Sequence, residues 1–405
     1  MIFNKNKVEE ATIMRNFSYL DDRSTFYFDS SCQTLRPYEV ILSEQEYYTA
    51  FNACGHRVKY EWGKRVDNRV AETRELLLKI VGKNSKDYTV AFCLNTTHGI
   101  NTVLHQLNPD LYSQIITSEI EHNSVFLNAI TWGKRNNKKR IVYKRHENGS
   151  LEYSKKDLEK PIVIINETSN FDGRKLTNLR NLEKDVHSQG GILLLDGAQT
   201  FGHDVSNIQN VDFDAIFGSG HKMYAPSIGF IIIKKSLLKN LDCFLIGGGT
   251  VSNVEYENFD LISDDSEIYA RIEAGLQNFA GIIGLGSAIR WKQKFTRDGY
   301  NASQYEESLR TYLYKSLLTL KDIHLLNTAP SSVVSFYSEK IDSHKLGAML
   351  SSKQIMCRTG YFCCHYYLKE LNKYPPLIRI SIGLNNSKEQ IDFLVDTLNF
   401  ILRRY

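Results

Sequence analysis

Residues 213–222 read FDAIFGSGHK, an apolar run followed by a short polar turn that ends at Lys222. The apolar part predicts a strand that is buried on both faces of a sheet. A lysine just beyond such a strand would lie at the carboxyl edge of the sheet, where burial lowers the pKa of an amine and makes it nucleophilic. Lys222 is therefore a candidate for Schiff-base chemistry, and Ser219 and His221 could donate to a phosphate. The alternative is a solvated loop lysine.

Apolar runs of the same kind lie on both sides of this segment and alternate with amphipathic helical stretches. This order predicts an α/β fold with a doubly wound, seven-stranded, mostly parallel sheet. Besides the strand before Lys222, the candidate strands are YTVAFCL (88–94), SQIITSEI (113–120), RIVYKR (140–145), PIVIINETS (161–169), GILLLD (191–196) and GFIIIKK (229–235).

The pattern changes to a more antiparallel α+β order after residue 250, beyond a long helix that we predict over residues 280–295. We predict a large domain over residues 20–285 and a smaller C-terminal α+β domain over residues 286–405, which residues 1–19 join. A chain of 405 residues is long enough for two cores, because single cores stop growing near ~250–300 residues.

The composition excludes several classes of partner. Lys and Arg number 50 against 46 Asp and Glu, and a net charge of +4 gives no basic footprint for nucleic acid or for a membrane surface. The polar start, MIFNKNKVEEATIMRNF, predicts neither a signal peptide nor an anchor, and no apolar run reaches the ~20 residues of a membrane span. We expect a soluble, cytoplasmic protein without direct nucleic-acid or membrane partners.

The seven cysteines form no CxxC pair and no zinc spacing, so we predict no metal site. An odd number of cysteines without a signal peptide argues against a disulfide framework. We expect reduced thiols, most of them buried as small apolar residues.

A second motif, LLLDGAQT, places Asp196 at the end of an aliphatic strand. An unpaired carboxylate is costly there, and a protonated pyridine nitrogen would satisfy it. Gln199 is placed to hydrogen-bond a ring hydroxyl. The alternative is an aspartate that caps the following helix.

Three further polar motifs follow other strands. In LNTTHGIN, Thr96 and Thr97 open a helix whose free amides favour an anion, although an ordinary threonine cap is the alternative. In SEIEHNS, His122 could stack on a ring and relay protons. In NETSNFDG, Asn170 could face the same place or simply form a turn. Ligands of open α/β sheets bind outside the carboxyl ends of the strands, so this order predicts a pyridoxal 5′-phosphate (PLP) site.

The chain also resembles a known family over nearly its whole length: the fold-type I PLP enzymes of the class V aminotransferase superfamily. It is most similar to group II cysteine desulfurases and selenocysteine lyases. The segments that carry the resemblance are YFDSSCQTLRP (27–37), GHR (55–57), IEAGLQNFAGIIGLGSAI (272–289), CRTGYFC (357–363) and RISIGLNN (379–386).

This resemblance implies a homodimer and gives roles to individual residues. Cys363 would take the sulfur of L-cysteine as a persulfide and release L-alanine, and His122 would move protons. Lys222 would hold PLP and then act as the acid and base at Cα. The substrate would be bound by Asn170, His56, Arg57, Arg358 and Arg379.

The sequence departs from the family pattern at several positions. Leu276 replaces a threonine that contacts the phosphate in the partner subunit, so that contact is lost or passes to a neighbour such as Gln277. Ser31 and Cys32 replace an Ala-Ala pair beside the substrate. A second thiol, Cys364, adjoins the expected nucleophile and could exchange sulfur with it.

Our function hypothesis is a PLP-dependent cysteine desulfurase that passes persulfide sulfur from Cys363 to an acceptor protein. Within the same fold, the alternatives are a selenocysteine lyase, a C–S lyase, an epimerase or an aminotransferase. From another class, the alternative is a subunit of a sulfur-transfer complex that does not turn over.

Overall fold

A computed structural model of the protein describes residues 16–17, 25–56 and 58–405. Its helices are α1 (Tyr38–Ala50), α2 (Glu61–Ile80), α3 (Thr96–Leu104), α4 (Asn123–Arg135), α5 (Leu179–Ser188), α6 (Lys235–Lys239), α7 (Phe279–Lys294), α8 (Ala302–Leu317), α9 (Ser343–Ser351) and α10 (Lys388–Leu402). No helix in this described part of the chain combines the length and the apolar composition that crossing a membrane requires.

The strands fall into one large sheet, one small sheet and three short pairs. They are β1 (Phe26–Tyr27), β2 (Tyr88–Cys93), β3 (Gln114–Ser118), β4 (Lys139–Tyr143), β5 (Pro161–Asn166), β6 (Ile192–Asp196), β7 (Ala215–Ser219), β8 (Gly229–Lys234), β9 (Val251–Val254), β10 (Phe259–Leu261), β11 (Thr296–Arg297), β12 (Tyr300–Asn301), β13 (His324–Leu325), β14 (Val333–Tyr337), β15 (Ile355–Met356), β16 (Arg358–Gly360) and β17 (Leu377–Ser381).

The large sheet has seven strands in the order β2-β8-β7-β6-β5-β3-β4. The five strands from β7 to β4 run parallel to their neighbours, whereas β8 is antiparallel to both β7 and β2. The predicted α/β fold with a mostly parallel seven-stranded sheet is therefore confirmed. The apolar runs of the sequence are explained by burial, because β5 and β7 are buried along their whole length.

Helices cover both faces of this sheet. Side chains of α2, α5 and α7 form one core with one face, and side chains of α3 and α4 form a second core with the other. This double cover forces each β-to-α connection to cross the edge of the sheet. The polar residues that follow the parallel strands are thereby gathered at one edge.

The smaller sheet is antiparallel, with the order β13-β14-β17-β16. Together with α8, α9 and α10 it encloses a separate core. The predicted domain boundary between residues 285 and 286 falls inside α7, which packs against α1 and α2. That boundary remains a prediction.

A buried cluster of charged residues connects α8, beside the smaller sheet, to the loop that follows β6 in the large sheet. The carboxylate of Glu306 contacts Nδ1 of His203 and accepts a hydrogen bond of 2.5 Å from Ser332 Oγ. Lys292 is buried nearby and donates to the carbonyl of Gly202 over 2.6 Å. Burial alone would raise the pKa of Glu306, but His203 and Lys292 outweigh it and lower the pKa to about 2.

Replacing Glu306 by glutamine should therefore lower the free energy of unfolding at pH 7 by about 3 kcal/mol, because it leaves a buried cation unpaired. Since the folded pKa lies below the unfolded value, this contribution is present above pH 4.5 and is lost as the pH falls toward 2. The difference in the free energy of unfolding between wild type and variant should therefore be smaller by about 1 kcal/mol at roughly pH 3.5 than at pH 7.

Urea denaturation at the two pH values measures this gap. Glu307→Gln is the matched control, because the neighbouring carboxylate is exposed and pairs with Arg310 at the surface. Its effect should stay within about 0.5 kcal/mol. Equal losses in the two variants would contradict the role of Glu306.

Candidate active site

The carboxyl ends of the parallel strands open into a cavity of about 320 Å³. This volume lies within the range of small-ligand sites, roughly 300–1,000 Å³. The residues predicted from sequence that line it are Ser31, Cys32, Thr96, Thr97, His122, Asn170, Asp196, Gln199, Ser219, His221, Lys222, Arg358, Cys363 and Arg379. The structure therefore brings together side chains that lie more than 300 positions apart in the sequence.

Lys222 ends a tight turn, Gly220–Lys222, directly after β7. The turn is closed by a hydrogen bond of 2.7 Å from the Met223 amide to the carbonyl of Gly220. Burial lowers the pKa of the Lys222 amine, although the carboxylate of Asp196 opposes this shift. An amine with a lowered pKa is available as a nucleophile at a lower pH than an ordinary lysine.

Asp196 is the last residue of β6, and Gln199 lies in the turn that follows. Burial raises the pKa of Asp196, and its Oδ1 accepts one hydrogen bond of 2.9 Å from the Ala198 amide. Gln199 Nε2 donates to the carbonyl of Ser31 over 2.8 Å, while its Oε1 is buried without a partner among the described residues. Both side chains thus face the cavity with unused hydrogen-bonding capacity.

The start of α3 presents hydroxyls to the cavity. The cap of this helix is Asn95, whose side chain accepts from the His98 amide, so neither threonine serves as the cap. Thr96 Oγ1 lies 2.7 Å from Ser219 Oγ, and Thr97 Oγ1 lies 2.6 Å from the hydroxyl of Ser124. Hydroxyls clustered at a helix N-terminus form an anion site.

His122 caps α4, and its Nδ1 accepts a hydrogen bond of 3.1 Å from the Ser124 amide. Burial, together with the positive charges of Lys222 and Arg379, lowers the pKa of His122 to about 3. The imidazole is therefore neutral near pH 7, which allows it to stack on a ring or to accept a proton.

Cys363 is exposed and lines the same cavity. Its φ of 58° and the φ of 48° at Phe362 both lie in the left-handed region, which is costly for residues other than glycine. Two hydrogen bonds hold this strained turn. Asn170 Nδ2 donates to the carbonyl of Phe362 over 2.6 Å, and the Asn123 amide donates to the carbonyl of Cys363 over 2.7 Å.

Cys364 lies in a different environment. It is fully buried in an apolar cluster with Ile120, Phe171 and Leu368. Burial raises the pKa of its thiol well above the ordinary value. Of the two adjacent thiols, only Cys363 is therefore placed to react within the cavity.

Arg358 and Arg379 face each other across β16 and β17. Both contact the carboxylate of Asp29. Arg358 donates to it through Nε and Nη2 over 3.0 and 2.8 Å, and Arg379 donates through Nη2 over 3.1 Å. Sequence reasoning missed Asp29, because no local pattern links position 29 to strands near the C-terminus.

Glu121 is a second missed residue. Its carboxyl group is buried, contacts Ser118 Oγ and accepts from the amide and the side chain of Asn166, a residue that lines the cavity, over 2.7 and 2.8 Å. Burial raises its pKa to about 7. The sequence feature that could have revealed Glu121 is its place directly before His122, at a position where the chain returns to the protein interior.

The structure does not bring His56 into the cavity of its own chain. His56 lines a second cavity of about 330 Å³ together with Leu276 and Gln277. Leu276 is 78% exposed, and the side-chain nitrogen of Gln277 donates to carbonyls of Glu273 and Gly275 over 3.2 Å. The Arg57 prediction lies outside the described residues.

The described residues fit a PLP-like ligand. Gln199 Oε1, Ser31 Oγ and Asn170 Oδ1 are buried at the cavity without hydrogen-bond partners among the described residues. Such atoms are costly unless a ligand or water satisfies them. The cavity offers an anion site at one side, a buried carboxylate, a neutral imidazole and a buried amine, which match a phosphate, a ring nitrogen, a ring face and an aldehyde.

Comparison with solved structures shows the same fold. A cysteine desulfurase from Thermococcus onnurineus NA1 superposes with a TM-score of 0.87 at 24% identity, over 98% of both chains. A cystine C–S lyase, C-DES, superposes with a TM-score of 0.77 at 18% identity, over 95% of this chain and 99% of that one.

Sequence comparison gives the family. A probable cysteine desulfurase from Borreliella burgdorferi is 29% identical, over 98% of this chain and 96% of that protein. A cysteine desulfurase from Pectobacterium atrosepticum is 27% identical, over 93% of both. The family model for class-V aminotransferases matches residues 26–394, and the chain belongs to this family.

Proposed function

We propose that this protein is a PLP-dependent cysteine desulfurase that converts L-cysteine to L-alanine and retains the sulfur as a persulfide on Cys363. The observation that carries this proposal is the exposed thiol of Cys363 in the cavity that also contains Lys222. The names of the curated relatives support the same reaction.

When bound, PLP supplies an electron sink that stabilises negative charge at the substrate Cα. Lys222 holds the cofactor, because its pKa is lowered by burial. Asp196 would pair with the ring nitrogen, Gln199 would bind the ring hydroxyl and His122 would stack on the ring. The phosphate would be held by Thr96, Thr97, Ser219 and His221.

The substrate carboxylate is bound by Arg358 and Arg379. The substrate also contacts Asn170, whose carbonyl accepts from Arg379 Nη1 over 2.9 Å. Lys222, once its amine is free, moves the proton at Cα, and the neutral His122 accepts and returns a proton. The Cys363 thiolate attacks the sulfur of the substrate, so that an S–S bond forms as the C–S bond breaks. The electron pair of the broken bond passes to the substrate carbon, which takes up a proton and becomes the methyl group of alanine.

A homodimer and a sulfur-acceptor protein belong to this proposal. His56 and Arg57 would then serve the cavity of the other subunit, which accords with the separate position of His56. Leu276 is an exposed apolar side chain of that second cavity and suits a subunit contact, as do Val254 and Phe259, which are exposed on β9 and β10. Seven unpaired thiols suit the cytoplasm, where cysteines stay reduced.

The test is to incubate PLP-loaded protein with L-cysteine and a reductant and to measure alanine, sulfide and pyruvate together. A desulfurase yields alanine and sulfide in equal amounts. A C–S lyase yields pyruvate instead of alanine, and an aminotransferase yields no sulfide. Absence of alanine from protein that carries the visible absorbance of bound PLP, with or without added acceptor protein, would reject the proposal.

A further inference from the structure

The thiol of Cys32 is a feature of the cavity that the proposed function does not use. Of the seven cysteines, which all lie in the described part of the chain, Cys32 and Cys363 line this cavity. Cys93 and Cys357 are not part of its lining, and burial raises the pKa of each of these two thiols to about 12. Two thiols therefore share the space in which the persulfide on Cys363 would form.

Both of these thiols lie near the amine of Lys222. Burial lowers the pKa of Lys222, and negative charge on Asp196, Cys32 or Cys363 opposes that shift. A nearby cation favours the thiolate over the thiol, and the thiolate is the form that attacks a sulfur–sulfur bond. The cavity thus holds two sulfur atoms within the electrostatic range of one amine.

Two guanidinium groups add to the positive surroundings of Cys32. Hydrogen bonding to Asp29, together with negative charge on Cys32, raises the pKa of Arg358. Burial lowers the pKa of Arg379, and negative charge on Asp29 and on Cys32 opposes that shift. Cys32 is half-buried in this electropositive wall, which is the environment typical of reactive thiols.

The backbone fixes one thiol and leaves the other able to adjust. The Cys32 amide donates to the carbonyl of Asp29 over 3.0 Å, and Asp29 forms a parallel bridge to Ser381. Cys363 lies in an exposed turn with φ values of 48° and 58° at Phe362 and Cys363. A disulfide requires Cα atoms roughly 4.4–6.8 Å apart. The turn of Cys363 can move to meet this requirement, because leaving the left-handed region relieves backbone strain.

We propose that Cys32 is a resolving thiol for the persulfide on Cys363. When no acceptor removes the sulfur, Cys32 attacks the sulfur atom attached to the Cys363 side chain, forms a Cys32–Cys363 disulfide and releases the outer sulfur as hydrogen sulfide. This inference rests on the proposed function, in which the persulfide forms on Cys363. Turnover then stops, because the nucleophile is held in the disulfide.

The resolving step balances without an outside oxidant. The bond between the two persulfide sulfurs breaks as the bond between the two cysteine sulfurs forms. The outer sulfur leaves with the electron pair of the broken bond and takes up the proton of the Cys32 thiol. Together with desulfuration, L-cysteine and two thiols give L-alanine, hydrogen sulfide and one disulfide. A dithiol reductant restores both thiols by exchange.

The test gives reduced, PLP-loaded protein a single equivalent of L-cysteine per subunit, without oxygen, reductant or acceptor protein. This amount leaves no excess cysteine to reduce the persulfide. Alanine and sulfide are measured, and the thiols are then alkylated and mapped by mass spectrometry. In the wild type, the ratio of sulfide to alanine should be about one, and the peptides with Cys32 and Cys363 should be linked.

In Cys32→Ala, the ratio of sulfide to alanine should fall at least about tenfold, because the added sulfur stays on Cys363. If this variant does not fold, Cys32→Ser gives the same comparison. The matched control is Cys243→Ala, which removes a thiol that packs against a different part of the protein and should keep the wild-type ratio. Wild-type protein that keeps its persulfide, or that links Cys363 to a third cysteine, overturns the proposal.

Oxidation with diamide separates this proposal from the proposed function, because it needs no substrate. Wild-type protein loaded with PLP should form the same Cys32–Cys363 disulfide, and reduction by a dithiol should remove it. Absence of this disulfide overturns the proposal even where alanine forms in the first experiment. Absence of alanine there rejects the proposed function, and the diamide result then still decides whether the two thiols pair.

Discussion

Replacing Cys363 by serine is expected to lower the formation of alanine and sulfide from L-cysteine by at least about a thousandfold, while PLP remains bound. A hydroxyl cannot take up the substrate sulfur as a thiolate does. The cofactor-binding side chains lie on other loops, so the visible absorbance of bound PLP should be unchanged.

Cys364→Ala is the matched control, because it removes the adjacent thiol and leaves Cys363 in place. Cys364 is fully buried, so this variant should lose stability by about 1–2 kcal/mol and keep its turnover within about threefold. Equal loss of turnover in both variants would contradict the assignment of Cys363. Mass spectrometry of protein trapped during turnover should find the added sulfur on the peptide with Cys363.

Replacing Lys222 by alanine is expected to abolish turnover, with a loss of at least about a thousandfold. The variant lacks the amine that holds the cofactor covalently and that moves the proton at Cα. Borohydride reduction of wild-type protein should attach PLP to the peptide that contains Lys222. The same treatment should attach none to that peptide in the variant.

Lys222→Arg separates chemistry from charge. Arginine keeps a positive charge near Asp196. In the wild type, the negative charge of Asp196 is the main influence that opposes the lowering of the Lys222 pKa by burial. Its guanidinium is a poor nucleophile at neutral pH, so Lys222→Arg should be as inactive as Lys222→Ala. An arginine variant with more than about a tenth of wild-type turnover would exclude Lys222 from the covalent role.

The sequence predicted the part of the site that follows individual strands. Lys222, Asp196 and Thr96 each come directly after an apolar run, and such runs reveal both the strand and its buried end. The parallel sheet then brings these ends to one edge. This kind of prediction succeeds because neighbouring residues carry the information.

The remainder depends on contacts between distant segments. Asp29 meets Arg358 and Arg379 only after the segment that follows β1 has docked beside β17, and no periodicity encodes that contact. The antiparallel direction of β8 could not be predicted either, because an apolar run is typical of parallel and of antiparallel buried strands alike. The burial of Cys364 depends on packing against Phe171 and Leu368.

The position of β2 at the edge of the large sheet has a consequence for synthesis of the chain. Within that sheet, β2 pairs with β8 alone, and Val90 lies opposite Ile232. At ribosomal rates of ~5–20 residues per second, β2 therefore waits roughly 7–28 seconds for its partner to be made. During that interval the apolar segment YTVAFC is an unpaired strand, and shielding it from other nascent chains becomes a task for chaperones.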